Sequence, residues 1–405
     1  MAPPRAPPPP PPLTINPPLL NSANPWATTL SHLLTLYASP YTGAVTTRTS
    51  LLDGYPHDDA INQYTFFSPT TQTPSTSTTD PSATSASASA SLNTLGYSPL
   101  PLRTYLSFIT TISAAATASA PAENENGLGG SGGLRRDKPI IVSVTGSPAD
   151  VARCYDLIRR CAATVCMPLA MEVNLSCPNI DGGKPVPAAY DRAAVVAYLV
   201  ALRGAVAEGV DADGDAGDGE SVEGDGEKKK AVVVPIGLKT PPFTHAGMFA
   251  DFVAALTDVL PTPISFVTAV NTLAPSLVLV PSNPNPNPDA PDANTTTTPS
   301  SSLLRPALGS ATGLGTGGMA GAPLHPLALG NVLGLTRALG AAEALRGRVM
   351  VVGVGGVEDA EGWRRMRGVG AGAVGVGTAL GRLGVGVFER IWRGVEGRAT
   401  AGARL

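Results

Sequence analysis

The chain has 405 residues, 43% of them hydrophobic and 15% charged, which is enough to build one large hydrophobic core or two modest ones. Its formal net charge of -3, without long runs of lysine or arginine, argues against the basic surface that nucleic-acid binding requires. The longest apolar run, residues 193–202, is too short to span a bilayer, and the N terminus lacks the apolar segment of a signal peptide. The composition therefore predicts a soluble protein with neither a nucleic-acid nor a membrane partner.

The cysteines indicate a reducing, intracellular compartment. They have no CxxC spacing and no histidine pairs nearby, so the sequence indicates neither a zinc site nor a disulfide framework. The adjacent carboxylates Asp58 and Asp59 lack further ligands, so we predict no metal. The four cysteines are Cys154, Cys161, Cys166 and Cys177.

In chain order, the sequence begins with a polyproline tail at residues 1–12, which we predict to be disordered. Residues 13–405 carry the folded domain, interrupted by low-complexity segments that hold too few apolar residues to fold by themselves. What remains has the size of one barrel domain. The predicted disordered inserts are 69–90, 120–136, 209–230 and 281–306.

The remaining segments alternate between short β-branched runs and longer helical patterns, which is typical of a parallel sheet. Eight strands favour a closed (β/α)8 TIM barrel, with low-complexity loop inserts, over an open sheet. Strands are predicted at 43–48, 91–94, 139–145, 170–176, 232–239, 264–271, 348–354 and 372–377, the second being the weakest pattern. Helices are predicted at 25–37, 148–163, 189–207, 246–258, 326–346, 358–368 and 384–394.

The stretch 171–184 is the most informative part of the chain. Val173 and Leu175 alternate with polar residues, as in a strand, and Pro178 ends the strand because it has no N–H for the ladder. In parallel α/β proteins, ligands bind at the carboxyl ends of the strands. The carboxyl tip of this strand carries Asn174, Cys177 and Asn179.

Later strands also end in residues suited to a ligand. Lys239 ends one strand, Asn271 and Thr272 end the next, and glycine-rich turns follow at 313–318, 353–356 and 375–378. Glycine lets the backbone approach a ligand, and the last two strands of a barrel commonly hold a phosphate. For any single glycine, plain turn geometry is the competing explanation. Jointly, the turns predict a phosphorylated cofactor.

Several motifs resemble those of the dihydroorotate dehydrogenases, in particular their soluble class, which are FMN-containing (β/α)8 barrels. Their order and spacing carry the resemblance, which runs from about Leu13 to Ile391. The motifs are Ser91-Leu-Asn-Thr-Leu-Gly96, Asn174-Leu-Ser-Cys-Pro-Asn179, Gly237-Leu-Lys239-Thr-Pro-Pro242, Val270-Asn-Thr272, Gly355-Gly356 and Gly377-Thr-Ala-Leu380.

The resemblance implies a role for each matched residue. Cys177 would be the general base that removes the C5 proton of dihydroorotate while hydride passes from C6 to flavin N5. Lys239 would face the N1/O2 edge of the flavin. Substrate would be bound by Arg48, Asn93, Asn174, Asn179, Asn271 and Thr272. The cofactor would be bound by Ser22, Ala23, Arg48, Asn174, Lys239, Gly317, Gly318, Gly355, Gly356, Gly377 and Thr378.

The departures from the family pattern cluster on the substrate side. Arg48 stands where the family has a lysine, and an arginine fork is larger and planar. Thr49 replaces a serine, the segment 51–60 replaces a basic, proline-containing one, Asn24 replaces a glycine and His325 replaces a lysine.

The resemblance implies a cytoplasmic, homodimeric enzyme of pyrimidine (UMP) biosynthesis that oxidises dihydroorotate, with fumarate as the acceptor. Two alternatives stay open. One is an FMN oxidoreductase acting on another dihydropyrimidine or a cyclic enone, which the departures at Arg48 and 51–60 favour. The other is a non-catalytic flavin-binding paralogue, which would have no chemical use for Cys177, Lys239 and the asparagines.

Overall fold

The computed structural model describes residues 10–75, 87–118, 133–176, 186–215, 232–282 and 304–402. The strands are β1 (Leu19–Asn21), β2 (Val45–Thr46), β3 (Tyr64–Phe67), β4 (Ala90–Asn93), β5 (Ile140–Val144), β6 (Leu169–Asn174), β7 (Ile236–Thr240), β8 (Phe266–Ala269), β9 (Leu273–Ser276), β10 (Leu279–Pro281), β11 (Leu304–Pro306), β12 (Gly317–Gly321), β13 (Met350–Val354) and β14 (Ala373–Val376). The helices are α1 (Leu30–Ala38), α2 (Leu102–Ala118), α3 (Pro148–Ala162), α4 (Arg192–Asp215), α5 (Ala246–Asp258), α6 (His325–Ala341), α7 (Ala360–Gly368), α8 (Thr378–Leu383) and α9 (Gly386–Gly402).

Eight strands form one parallel sheet in the order β1-β14-β13-β8-β7-β6-β5-β2. A parallel bridge between Leu20 and Ala44 joins the two end strands, β1 and β2. Helices connect most successive strands, as the right-handed crossovers of parallel strands require. The sheet is therefore a (β/α)8 barrel, and this part of the sequence prediction is confirmed.

The predicted number of barrel strands was right, but the first and second barrel strands were assigned to the wrong segments. The first barrel strand is Leu19–Asn21, which pairs with β14 and was not predicted, so the predicted first strand is the second of the barrel. The predicted strand at 91–94 exists as β4, but it lies in a separate antiparallel sheet of order β3-β4-β12-β9. A three-residue strand shows no period in sequence, and only pairing with the far end of the chain defines it.

Helix α2 was also missed, although Tyr105, Ile109 and Ile112 are fully buried along one face. Most of the other helices lie close to their predicted positions, but α4 continues to Asp215 and α9 to Gly402, well past the predicted ends at 207 and 394. Helix α8 was not predicted, and the segment 25–37 divides into a 3-10 turn at Pro25–Ala27 and α1. Local capping residues explain where a helix begins, as at α3. Ser147 and Asp150 form a reciprocal capping box with Pro148 at the first helical position of α3, a combination that satisfies free N–H groups.

The strands alternate between two apolar environments. Side chains on one strand face, such as Val142 and Leu238, pack outward against the helices in the main core. Those on the other face, such as Ile141 and Phe266, fill the barrel interior together with Leu13 from the segment before β1. Because the interior is apolar in this layer, ligands are confined to the opposite, carboxyl end of the strands.

Lys138 ties the chain together just before β5. Its ammonium group is buried and donates to the carbonyls of Tyr37 (2.7 Å) and Ser39 (2.6 Å) and to the hydroxyl of Thr42 (3.0 Å). Burial lowers the pKa of this amine to about 7. The three acceptors include carbonyls at the end of α1, which otherwise lack intrahelical partners. Lys138 is therefore a structural clamp between α1 and the barrel.

One helix in the described part of the chain, Arg192–Val210 within α4, has the length and hydropathy of a membrane span. Its buried residues Val195, Leu199 and Leu202 belong to the main core, and α4 packs against α3 and α5. An apolar helix of the barrel's outer ring has this composition without any membrane.

The predicted disordered segments fall largely outside the described residues, so their disorder stays a prediction. Parts of their edges are described. Leu304–Pro306, at the end of the fourth insert, pairs antiparallel with Leu279–Pro281, and α4 continues into the third insert as far as Asp215. Within the predicted tail, the carbonyl of Pro11 accepts a hydrogen bond from Ser265 Oγ at 2.8 Å.

Candidate active site

A cavity of about 430 Å³ opens at the carboxyl ends of the barrel strands, under the antiparallel sheet β3-β4-β12-β9. Its size falls in the range that proteins use for cofactors and small ligands, about 300–1,000 Å³. Every predicted site residue within the described ranges lines it. These residues are Ser22, Ala23, Arg48, Asn93, Asn174, Lys239, Asn271, Thr272, Gly317, Gly318, Gly355, Gly356, Gly377 and Thr378.

Cys177 and Asn179, the predicted base and one substrate amide, lie outside the described residues. The last described residue before them, Ser176, lines the cavity. Its hydroxyl donates to the carbonyl of Lys239 at 3.2 Å, so β6 leaves the barrel at the cavity wall.

Two asparagines are fixed at the carboxyl ends of β6 and β8, the strands on either side of β7. Asn174 Oδ1 accepts from the Ser176 backbone N–H at 3.1 Å, and Asn271 Oδ1 accepts from the Thr272 backbone N–H at 2.9 Å. Asn271 Nδ2 donates to Asn174 Oδ1 at 3.3 Å, and Asn174 Nδ2 donates to Thr49 Oγ1 at 3.3 Å. Both amides therefore have defined orientations, which suits recognition of a planar ligand with donor and acceptor edges.

Lys239 supplies a buried positive charge. The residue is 3% exposed, and no hydrogen bond or ion pair from its ammonium group to another described residue is present. Burial lowers its pKa, while the charge of Glu172 acts in the opposite direction. A buried cation without a protein partner is unfavourable unless a ligand neutralises it. This group therefore indicates a ligand with an electron-rich or anionic edge.

Arg48 is the second cation of the cavity. One terminal nitrogen of its guanidinium donates to the carbonyl of Tyr97 at 3.0 Å, and burial lowers its pKa. The ring of Tyr97 meets that of Tyr55 edge-on, with ring centroids 5.7 Å apart. Arg48 is thus held against a tyrosine-lined part of the wall, and its remaining donors are available to a ligand carboxylate.

The loop after β1 is shaped by two buried amides. Asn21 Nδ2 donates to the carbonyl of Thr46 at 2.6 Å and its Oδ1 accepts from the Thr46 N–H at 2.9 Å, which locks β1 to β2. Asn24 Nδ2 donates to the carbonyl of Ser22 at 2.8 Å, and its Oδ1 accepts from Trp26 N–H at 2.9 Å. Asn24, which departs from the family glycine, therefore holds Ser22 at the cavity.

The predicted glycines separate into two groups. At Gly318 an added Cβ would lie 2.1 Å from Thr272 Oγ1, and at Gly317 it would lie 2.3 Å from the carbonyl oxygen of Asn93, so these two are required by packing within the protein. Gly356 has a positive φ of 68°, and an added Cβ there would lie 2.7 Å from the carbonyl oxygen of Gly321, so packing and backbone conformation explain this glycine as well. At Gly377 the nearest atom is Ser22 Oγ at 3.1 Å, which makes Gly377 the better candidate for close approach to a phosphate.

His325, where the family has a lysine, is buried behind the glycine turn. Its Nδ1 lies 2.7 Å from the carbonyl oxygen of Gly355, and its Nε2 accepts from Arg365 Nε at 3.1 Å. These contacts require the proton on Nδ1. His325 therefore holds the turn in place.

Sequence reasoning missed three groups at or below the cavity. Trp26 lines it and stacks on Phe66, with ring centroids 5.6 Å apart. Tyr64 lines it from β3. Glu172 is 2% exposed in the barrel interior, below the cavity. Glu172 had a signal in the sequence, because its alternation with Asn174 places both on the same face of β6.

No group of three or more histidine, cysteine or carboxylate side chains that could hold a metal occurs in the described part of the chain. The fold and the cavity define the class of protein. It is a TIM barrel with a ligand cavity at the carboxyl ends of its strands, equipped with amides, two cations and glycine turns.

Comparisons with known proteins find partial matches to one family. The family model described as dihydroorotate dehydrogenase matches residues 292–398. The chain is 29% identical over 255 residues to a dihydroorotate dehydrogenase (fumarate) of Trypanosoma cruzi, a match that covers 63% of this chain and 62% of the relative. It is 26% identical over 226 residues to dihydroorotate dehydrogenase A (fumarate) of Lactococcus lactis subsp. cremoris, covering 56% of this chain and 53% of the relative. Over these parts of its length the chain is similar to dihydroorotate dehydrogenases.

The matches span less than two thirds of the length of these curated relatives. Two crystal structures of DHODH from Eimeria tenella, one in complex with ferulenol and one ligand-free, superimpose with TM-scores of 0.59. Their sequence identities are 16% and 14%, covering 96% and 95% of this chain and 83% and 84% of theirs. At that identity the likeness supports the barrel fold.

Proposed function

We propose that this protein is an FMN-dependent dihydroorotate dehydrogenase that oxidises dihydroorotate to orotate in pyrimidine (UMP) biosynthesis, with fumarate as the acceptor. The observation that carries the proposal is the convergence of Lys239, Asn174 and Asn271 on one cavity of a barrel that is similar in part to this family. The curated relatives are both named as fumarate enzymes, which supports the acceptor.

The residues present fit FMN. Lys239, whose ammonium group has no hydrogen-bonding partner among the described residues, offers a buried cation to the electron-rich N1/O2 edge of an isoalloxazine ring. Gly356 and Gly377, with the hydroxyl of Thr378, would hold the phosphate, and Ser22 and Ala23 would line the ring. Bound FMN supplies the acceptor of the hydride from C6 of the substrate, at its N5.

The chain's own side chains perform the remaining steps. Arg48 binds the substrate carboxylate, since its guanidinium is held in place by Tyr97 and offers further donors. Asn93, Asn174, Asn271 and Thr272, together with Asn179, bind the ring amides and carboxylate. The thiolate of Cys177 accepts the C5 proton, because a thiol titrates near neutral pH once its anion is stabilised.

A second substrate is favoured by a specific observation. The guanidinium of Arg48 is bound to the carbonyl of Tyr97 beside a second tyrosine, Tyr55. This wall differs from the one that the family lysine implies, so another dihydropyrimidine or a cyclic enone is the alternative substrate. A non-catalytic flavin-binding paralogue is the weaker alternative, because it leaves the placement of Lys239 and the amides without a purpose.

We assign the protein to the cytoplasm as a soluble homodimer. The resemblance of the sequence motifs to the soluble class of dihydroorotate dehydrogenases motivates this assignment, and the burial of apolar residues of α4 in the barrel core fits a soluble protein. Sedimentation analysis of the purified protein would distinguish a dimer from a monomer.

The first test is an anaerobic visible spectrum of the purified protein, before and after addition of dihydroorotate. A yellow protein that bleaches is the expected result and establishes the flavin and the substrate together. A yellow protein that does not bleach would reject dihydroorotate and favour the second substrate. A colourless protein that FMN cannot reconstitute would reject the flavin assignment.

A further inference from the structure

Glu172 is a buried carboxylate that the proposed function does not use. It does not line the cavity, and it is 2% exposed in the barrel interior. The Ser143 hydroxyl donates to its Oε1 at 2.9 Å, and the Thr268 hydroxyl donates to its Oε2 at 2.7 Å. Both partners are themselves buried, so the carboxylate is held from two sides.

A series of hydrogen bonds connects Glu172 to the cavity through Ser143 and Thr49. Ser143 Oγ lies 2.9 Å from Thr49 Oγ1, and Thr49 lines the cavity. Ser143 donates its single hydroxyl proton to Oε1 of Glu172, so that proton is not available to Thr49. Thr49 must then donate its own proton to Ser143. The directions of the Thr49–Ser143 and Ser143–Glu172 hydrogen bonds are therefore both set by the carboxylate of Glu172.

This leaves Thr49 Oγ1 as an acceptor towards the cavity. One of its lone pairs takes the N–H of Asn174 Nδ2 at 3.3 Å, and the other remains for a ligand. The amides of Asn174 and Asn271 do not need Glu172 for their orientation, because the backbone N–H groups of Ser176 and Thr272 fix their oxygens. Among the cavity groups in this hydrogen-bond network, Thr49 is therefore the one whose role as donor or acceptor is set by Glu172.

We propose that Glu172 is a positioning residue which, acting through Ser143, makes Thr49 a hydrogen-bond acceptor for an imide N–H of the bound ligand. The inference rests on the proposed function and deepens it. Thr268 completes the site by holding the second carboxylate oxygen, but it has no hydrogen bond to Thr49. An imide or amide N–H in a planar ring is carried both by the isoalloxazine of FMN and by the dihydropyrimidine substrate. Measurements on each ligand separate the two sources.

Ser143→Ala and Thr268→Val form a matched pair. Each removes one hydroxyl from the same carboxylate, but only Ser143 connects to Thr49. Ser143→Ala is expected to lower the affinity for the ligand about fivefold, the equivalent of one neutral hydrogen bond. Thr268→Val is expected to change this affinity less than about twofold. The measurements are the dissociation constant of FMN, from fluorescence quenching with the apoprotein, and that of orotate, from the flavin spectrum of the holoprotein.

Thr49→Val tests the route. It is expected to weaken the same ligand about fivefold or more, and adding Ser143→Ala to it should cause no further loss, because the two residues act in series. Additive losses in the double variant would overturn the proposal, since they would show that Ser143 acts elsewhere. Melting temperatures of all variants verify that each one folds.

Glu172→Gln in the Thr268→Val background tests the carboxylate itself. There the carboxamide has one hydroxyl partner, and its NH₂ group will face Ser143, because a buried N–H without an acceptor is more unfavourable than a buried carbonyl without a donor. The direction of the bonds reverses, and the ligand should weaken about fivefold or more relative to Thr268→Val alone.

The outcomes separate this inference from the proposed function. If wild-type protein binds FMN and reacts with dihydroorotate, but Ser143→Ala and Thr268→Val behave alike, only the role of Glu172 is overturned. If only FMN or only orotate is weakened, that ligand carries the N–H. If wild-type protein binds neither, both the ligand class and the proposed function are overturned.

Discussion

Two buried lysines in this protein are expected to respond in opposite directions to the same substitution. Lys239 has no hydrogen-bonding partner for its ammonium group among the described residues, whereas Lys138 donates to three acceptors. Methionine has a similar length and no charge. Comparing Lys239→Met with Lys138→Met in the apoprotein therefore isolates the effect of partners from the effect of burial.

The expected magnitudes follow from the contacts. Removing the buried cation at Lys239, which has no hydrogen-bonding partner in the described parts of the chain, should raise the free energy of unfolding by about 1–3 kcal/mol. Removing Lys138 takes the ammonium donor away from the carbonyl of Tyr37, the hydroxyl of Thr42 and the carbonyl of Ser39, of which the last keeps hydrogen bonds from Thr42. Each lost hydrogen bond to a buried acceptor costs about 1 kcal/mol or more. Because a neutral amine still donates two hydrogen bonds, the lowered pKa of Lys138 does not remove this loss. Lys138→Met should therefore lose about 2–4 kcal/mol.

Thermal unfolding of apoprotein, where a change of 1 kcal/mol moves the melting temperature by about 2 °C in a domain of this size, measures both effects. FMN titration provides the functional counterpart, since Lys239→Met should weaken FMN at least about tenfold, the equivalent of 1.4 kcal/mol. Lys138→Met, far from the cavity, should bind FMN like wild type. A destabilised Lys239→Met apoprotein would refute the reasoning, because it would show that the ammonium group is already paired without a ligand.

The same lysine predicts a pH dependence. Burial lowers the pKa of Lys239 in the folded apoprotein below the value of about 10.4 in an unfolded chain. Between these two values the unfolded state binds more protons, so stability rises with pH across that window and is lowest below the folded pKa. Lys239→Met should lose this part of the dependence, whereas a pH profile identical to wild type would contradict it.

Three further substitutions test the catalytic assignments and the packing of the cavity. Cys177→Ala should keep FMN bound and lower turnover at least about a hundredfold, as expected for loss of a general base; full activity would remove Cys177 from the mechanism. Arg48→Lys should raise dihydroorotate turnover about threefold or more if the substrate is that of the family, since the family has lysine there, and no effect would favour another substrate. Gly318→Ala should raise KM about tenfold because the added Cβ would displace Thr272. The control is Gly330→Ala in α6, where an added Cβ meets nothing within 4 Å. This control should preserve KM and raise the free energy of unfolding by up to about 1 kcal/mol.

The sequence by itself determined the class of fold and much of the cavity wall. Alternation in β5, β6 and β7 and the long helical patterns after them are local properties, because each face of a strand or helix meets one environment. The polar residues predicted at strand ends lie together at the cavity for the same reason, since parallel strands present their carboxyl ends on one side. Asn174, Lys239 and Asn271 could therefore be assigned to one site before any contact was known.

Only the tertiary structure decided which strands close the barrel and which groups act behind the cavity wall. Leu19–Asn21 is too short to show a period, and its pairing with β14 joins the two ends of the chain. The segment carrying Asn93 has the pattern of a barrel strand, but its partners β3 and β12 place it in the cavity roof. The sequence could not show whether the carboxylate of Glu172 would be solvated or would accept hydrogen bonds from two buried hydroxyls. Local sequence specifies the period of an element, whereas its partners depend on residues far away in the chain.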